Sequence, residues 1–434
     1  VRRTAATSIA ACGIALSTAA GPALAATPAA VGDLVAGSIV SAEQPAPAGT
    51  HDSLVDILGD GVRESLVVVT PGTDDTRHPR IDGLVGERES YFVNYPESFA
   101  PIISGRSGRL LPFLAPSYDA SATVAKDRNL EVMRALAAAD TAVVYTGYSQ
   151  GSDALGAAAE QAAAAGLLGP NDTVLLVSDP RGPWGVKSRL GRVPLVGAAM
   201  SVIGVTDDGA RNPKDTGDAR VVHVIVQGDP VADWQWNPYR PASSLLVNAA
   251  GFLAIHSGTG PYTYARLDTL EARAPVRTLY SAEGNSEYRI YDTYHPLALL
   301  NAMIFDAVGV PVSEKTLDRW DRAADAFYPM RELTAETADP AVAVTAQPDA
   351  AHESETREDE AGDEGSDAAE PDVAEPDVAE PDAVEPDVVE PDVAEPDAVE
   401  PDAAEPDAAE PDAAEPDPMA KAVPEPAAPE TAAA

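Results

Sequence analysis

TAVVYTGYSQGSDALGAAAEQAAAAG, residues 141–166, reads as strand, sharp turn and helix in that order. Residues 142–146 (AVVYT) suit a buried strand, and the Ala-rich stretch 152–165 favours helix. The turn between them holds Gly147-Tyr148-Ser149-Gln150-Gly151, a G-x-S-x-G pattern. In that setting a serine sits in a strained turn at the carboxyl end of a strand, with its hydroxyl raised above the sheet. Both glycines have a steric task, because a side chain at 147 or 151 would strike the neighbouring strand or helix as the chain reverses. The following helix aims free N–H groups at the same point, where they can stabilise an oxyanion. The pattern predicts acyl transfer through Ser149. The competing structural role for Ser149 is a plain helix cap.

The flanking chain alternates strands and helices. SLVVVT (65–70), YFVNYP (91–96), TVLLVSDP (173–180) and RVVHVIVQGDP (220–230) read as strands, and 127–139 as an amphipathic helix leading into the elbow strand. Short apolar runs separated by helices predict an α/β fold: a mostly parallel sheet with helices on both faces. Residues 181–219, rich in Gly and Pro, read as an insertion near the site.

On such sheets nucleophile, acid and histidine follow in that order. Six histidines are present. His51 and His78 precede the serine, His352 lies in an acidic tail, and His223 sits inside the strand VVHVIV. His256 and His295 remain. His256 is preferred because it follows the best acid candidate, whereas His295 precedes Pro296 and reads as a helix cap. For the acid, Asp229 ends the strand VHVIVQGD, Asp233 lies four residues on, and Asp179 ends an earlier strand. A carboxylate there would fix the imidazole tautomer and stabilise the imidazolium. The oxyanion donors expected are the N–H of Gln150 and Thr73 in the turn Pro71-Gly72-Thr73 after the first core strand. This chemistry calls for no cofactor and no metal. The Trp-bearing segments Pro183-Trp184 and Trp234 to Trp236 suggest an apolar acyl pocket.

The ends of the chain differ from its middle. Residues 1–26 show a basic start, an apolar run and Ala23-Leu24-Ala25, the pattern of a secretory leader, so an exported, extracellular or envelope-associated protein is expected. Its apolar run is too short to serve as a membrane span. Cys12, the single cysteine, lies inside it, so the exported chain would hold no disulfide. Residues 27–60 read as an ordered lead-in or linker, 61–338 as the globular domain and 339–434 as a disordered tail. In that tail Glu-Pro-Asp recurs ten times from Glu370 to Asp417. Recurrent proline excludes helix and sheet, and the carboxylates repel one another. The tail is read as a solubilising spacer or as a contact for wall material or cations. Residues 349–434 carry about −29 of the net charge of −41, leaving the rest of the chain with about −12. No basic footprint favours a nucleic-acid partner.

The elbow Gly147–Gly151, the run QGDPVADWQWNPYRPASSLLVNAAGFLAIHSG (227–258) and the ending GNSEYRIYDTYHPLALL (284–300) together resemble the PE-PPE C-terminal domain family, actinobacterial α/β-hydrolases related to cutinases. The resemblance covers about residues 65–330. The family's Y-D-x-x-A-D-F-P motif looks like Gly228-Asp229-Pro230-Val231-Ala232-Asp233-Trp234 here, with Trp234 where the family has Phe-Pro. The family's asparagine-rich stretch before a histidine looks like Asn248 to His256, and Thr73 resembles the cutinase oxyanion-hole residue. The cutinase disulfides have no counterpart. The resemblance implies an esterase or lipase acting on acyl esters, or an acyltransferase for envelope glycolipids. A third reading is a non-catalytic envelope protein whose acidic stalk is the working part.

Overall fold

The computed structural model describes residues 29–347, apart from 48, 77, 79, 140, 190–193, 203 and 274–276. The expected leader and the Glu-Pro-Asp repeats lie outside the described residues. The strands are β1 (Val40–Glu43), β2 (Leu66–Thr70), β3 (Ser90–Val93), β4 (Val143–Tyr148), β5 (Asp172–Val177), β6 (Arg220–Val226), β7 (Arg277–Ser281), β8 (Ser286–Tyr291) and β9 (Val344–Thr345). The helices are α1 (Ala29–Ala36), α2 (Ser53–Leu58), α3 (Arg80–Val85), α4 (Tyr118–Leu136), α5 (Gln150–Ala164), α6 (Val186–Arg189), α7 (Pro194–Val202), α8 (Pro241–Gly251), α9 (Leu267–Arg273), α10 (Pro296–Ala307) and α11 (Glu314–Phe327).

The strands form one sheet in the order β1-β3-β2-β4-β5-β6-β8-β7-β9. The six from β3 to β8 in that order run parallel, and β1, β7 and β9 pair antiparallel at the edges. The expected α/β architecture is therefore present. Parallel strands buried on both faces are apolar at nearly every position, and β2 and β4 are buried throughout. Their side chains divide with period two. Val67, Val69, Val144, Leu175 and Val177 face a core closed by α2, α3, α9, α10 and α11. Leu66, Val68, Val143, Tyr145, Val174 and Leu176 face a second core closed by α1, α4 and α5. A one-residue slip in any of these strands would exchange the two sets.

Both expected boundaries move. Residues 27–60 are not only a lead-in: β1 pairs with β3 from Val40↔Val93 to Glu43↔Ser90, and Leu54 and Ile57 of α2 are fully buried. The domain also does not stop at 338. Asp339 N donates to Pro183 O at 2.8 Å, Ala282 N donates to Ala343 O at 2.8 Å, and β9 extends the sheet beside β7. Val342 is buried as well. The short apolar stretch AVAVT carries too little pattern to signal an edge strand beside so acidic a tail.

The segment 181–219 holds α6 and α7 and is tied to α5 by charge. Arg211 is buried, and its guanidinium reaches Asp179 Oδ2 at 2.8 Å, Glu160 Oε1 at 2.8 Å and Asp153 O at 2.6 Å. Lys187 Nζ lies 2.9 Å from Asp153 Oδ2. Removing one member of such a buried network leaves an uncompensated charge.

Shortening the chain separates the two boundaries. A chain ending at Gln347 is expected to melt like the full-length protein. One ending at Ala338 loses β9 and the Asp339 anchor, and should melt lower, at roughly 2–4 °C per kcal/mol for a domain of this size. Equal melting temperatures for the two, by differential scanning calorimetry, would show that 339–347 add nothing to the fold.

Candidate active site

β4 delivers the elbow. Ser149 has φ 52° and ψ −118°, outside the regions that L-residues prefer. Two close approaches impose this conformation. A Cβ on Gly147 would lie 2.8 Å from Gly151 O, and one on Gly151 would lie 2.2 Å from both Pro71 O and Thr70 O. Ser149 N donates to Val177 O at 3.0 Å, which ties the turn to β5. A capping serine would accept from the first turn of its helix, but the Ser149 side chain makes no cap to α5. Its Oγ instead lies 3.0 Å from His256 Nε2.

His256 closes a π-helical turn, Phe252–His256, that continues α8. Such turns displace a side chain from the register an α-helix would give it. Two rings stack against the imidazole: Tyr148 at 4.9 Å and Phe252 at 5.0 Å, both at 21°. Its Nδ1 lies 3.0 Å from Asp229 Oδ1. Burial pushes the Asp229 carboxyl up. The facing His256 and hydrogen bonds from His256, Ser178 and Tyr264 outweigh that, and hold it below the ordinary carboxylate range. An ionised carboxylate only accepts, so Nδ1 is the protonated nitrogen and Nε2 is free to accept from Ser149.

The other two acids are engaged elsewhere. Asp233 accepts from Gly228 N at 2.9 Å and from Gln235 Nε2 at 2.7 Å, shaping the turn that carries Asp229. Burial raises its carboxyl to about 6. Asp179 belongs to the Arg211 network. His295 caps α10, accepting from Leu297 N at 3.1 Å. His223 packs against Tyr288 at 4.8 Å, and burial lowers it to about 4.

Gln150 begins α5, so its backbone N–H has no carbonyl one turn back within the helix. The turn after β2 runs against the elbow: a Cβ on Gly72 would lie 2.9 Å from the Tyr148 ring. Asp75 fixes that turn by accepting from Gly72 N at 3.1 Å and pairing with buried Arg80, whose guanidinium lies 3.4 Å over the Tyr148 ring. Thr73 follows Gly72 there and is partly buried.

Trp184 and Trp236 do not form the expected acyl pocket. Trp184 is buried against Tyr288 at 5.6 Å, and its Nε1 donates to Thr337 Oγ1 at 3.2 Å. Trp236 lines a surface cleft of about 370 Å³ with Tyr239, Arg240 and Tyr328, where none of Ser149, His256 or Asp229 lies. Aromatic residues on short loops are as often core as pocket, and the sequence does not separate the two.

A family model described as the PE-PPE domain matches residues 86–323. The chain belongs to the PE-PPE domain family. Ser149, Asp229 and His256 all fall inside the match, whereas β1, β2 and Thr73 precede it. Among solved structures, the chain is similar to the type II thioesterase BorB from the borrelidin biosynthetic cluster (13% identity, 63% of this chain and 97% of that chain, TM-score 0.27). It is also similar to the esterase Est2 from Thermogutta terrifontis (13%, 68% and 91%, TM-score 0.27). A third is the catalytic core of an acetyl xylan esterase from Trichoderma reesei (15%, 47% and 97%, TM-score 0.26). No curated protein matches.

Two side chains around Asp229 in this PE-PPE domain were not anticipated. Ser178, at φ 57°, donates to Asp229 Oδ2 at 2.5 Å and lies 3.1 Å from His256 Nδ1. Tyr264 OH donates to Asp229 Oδ2 at 2.8 Å and accepts from Val226 N at 3.0 Å. Ser178 follows a strand, as Ser149 does, but has no G-x-S-x-G frame to mark it.

Tyr264→Phe removes a hydrogen bond to a buried carboxylate and leaves Val226 N unpaired. It is expected to destabilise the domain at pH 7 by about 1–3 kcal/mol. Asp229 is depressed in the folded state, so its contribution is full above the ordinary carboxylate range and lost as pH falls through the folded value. The part of the deficit carried by Asp229 should therefore shrink on acidification. Denaturant titrations of both proteins at pH 7 and at steps down through and below the ordinary carboxylate range would show it. A deficit unchanged by pH would mean that Tyr264 does not stabilise the ionised acid.

Proposed function

We propose that the protein is a secreted serine esterase that hydrolyses acyl esters through an acyl-enzyme. One observation carries the reading: Ser149 Oγ, His256 and Asp229 form a continuous chain with both contacts at 3.0 Å. Ser149 Oγ attacks the ester carbonyl as His256 Nε2 takes its proton, and Asp229 stabilises the resulting imidazolium. The oxyanion is held by the Gln150 N–H and by Thr73. The tetrahedral species collapses, the C–O bond to the alcohol breaks, and His256 returns the proton to the departing oxygen. Water, deprotonated by His256, then attacks the acyl-Ser149 ester, and the acid leaves as Ser149 recovers its proton. Export rests on the leader-like residues 1–26.

A second reading is acyl transfer, in which a sugar hydroxyl replaces water at the last step. The triad serves both outcomes. The non-catalytic reading offers no reason for the strained Ser149 to face a hydrogen-bonded imidazole.

Ser149→Ala is expected to lower turnover of p-nitrophenyl esters by roughly 10³-fold or more, with an unchanged melting temperature. Wild-type turnover in that variant would refute the assignment. Graded chain lengths, with and without a sugar acceptor, would separate hydrolysis from transfer.

The acids are distinguished in the same assay. Asp229→Asn should lower kcat by roughly 10²–10⁴-fold, because the amide offers the imidazole the wrong tautomer. Asp233→Asn mainly disturbs a turn and should cost far less. The reverse order would move the acid to Asp233.

A further inference from the structure

The Gln150 side chain holds a loop. Its Nε2 donates to Ser98 O and to Tyr118 O, each at 3.0 Å, and so pins the two ends of residues 99–117 together beside Ser149. Ser98 Oγ and Ala100 N both donate to Pro116 O, and Phe99 packs edge-on against Tyr118 at 5.7 Å. The base of the loop is therefore rigid and fixed to the residue after the nucleophile. Its outer part faces away from the core. Leu110 is 97% exposed, Phe113 64%, Ile102 61%, Leu114 57% and Leu111 49%, and the single helical turn Pro112–Leu114 buries no residue.

Such a cluster is unusual on a monomer surface and marks a place where something apolar is met. Its charge indicates what kind of partner. The chain carries a net −41, yet residues 98–118 contain no Asp or Glu and two arginines. Arg106 partly faces buried Glu97 at 3.3 Å, whereas Arg109 has no acidic partner among the described residues. Apolar side chains flanked by arginine are the composition that inserts at the boundary between acyl chains and anionic headgroups. On the histidine side of the same serine, Phe252 and Leu253 are also half exposed.

We propose that residues 102–114 dock the protein on a lipid layer bearing anionic headgroups, with Ser149 facing that layer. The docking stands on the loop alone. Its use in delivering acyl esters to Ser149 rests on the esterase reading. The lipid source is an anionic phospholipid-like surface. A protein partner or a second copy of this chain is a competing outcome.

The test uses the full-length Ser149→Ala protein, so that binding is read without turnover. It is sedimented with sucrose-loaded vesicles of phosphatidylcholine, alone or mixed equally with phosphatidylglycerol, in 0.15 M salt, near physiological ionic strength. Binding to the anionic vesicles is expected. Leu110→Asp with Phe113→Asp should weaken it at least about tenfold. Arg109→Ser should weaken it about fivefold on anionic vesicles and not on neutral ones. Melting temperatures confirm that each variant is folded, and these sites are solvent-exposed.

With Ser149 intact, the Leu110→Asp, Phe113→Asp protein should turn over a soluble short-chain ester as wild type does, but lose turnover of a vesicle-borne ester. No vesicle binding, or equal binding by the loop variants, would overturn the proposal. So would a dimer abolished by the same substitutions. Failure to hydrolyse the soluble ester would instead count against the esterase reading and leave the binding result standing.

Discussion

The strained backbone at Ser149 is the constraint on which the rest of the site depends. A left-handed φ at a serine costs about 1–3 kcal/mol and persists only where the surroundings over-determine it. Here they do. Gly147 lets α5 cross β4 closely, Gly151 lets α5 approach Thr70 and Pro71, and Ser149 N is bonded to β5. The tight reversal frees the hydroxyl from capping duty and brings Gln150 to the start of α5. Through its side chain, Gln150 also fixes the loop 99–117. One turn therefore sets the proposed nucleophile, one expected oxyanion donor and the base of the exposed apolar loop.

Asp229 and His256 are arranged around a second requirement, that a buried charge be hydrogen-bonded. Asp229 is fully buried and receives His256 Nδ1, Ser178 Oγ, Tyr264 OH and Val231 N. Those contacts keep it ionised, and an ionised Asp229 dictates the tautomer of His256. Asp233, four residues away, has enough partners to shape its turn but not to stay below the ordinary range. The two carboxylates are separated by environment and not by their place in the sequence.

What could be read from the sequence follows from the range of the interactions. β2, β4, β5 and β6 are continuous apolar runs because both faces are buried, and the elbow is local, so its glycines were legible. The antiparallel strands at the two ends of the sheet, β1, β7 and β9, are short and only partly buried, and their pattern is correspondingly weak. Asp229 ranked ahead of Asp233 and Asp179 only by its place at the end of a strand, since what distinguishes the three lies in Gln235, Ser178, Arg211 and Tyr264, which meet them only in the folded chain. The order rule for histidine was of limited use. β8 is a further parallel strand beyond β6, and His295 follows it, yet His256 reaches the serine from the π-turn after α8. Trp184 shows the opposite error, a residue whose type suggested a pocket and whose packing places it in the core.

The central claim is that Ser149 is the reacting atom's carrier, and it is tested most directly by covalent capture. A fluorophosphonate reacts with an activated serine hydroxyl, releasing fluoride and leaving a phosphonyl ester. Intact-mass measurement followed by peptide mapping of the treated protein should find one adduct, on Ser149. Asp229→Asn and His256→Ala should slow its formation by roughly 10²-fold or more, because the hydroxyl is then no longer activated. An adduct on another serine, Ser178 included, or labelling of Ser149 that is indifferent to His256, would contradict the account.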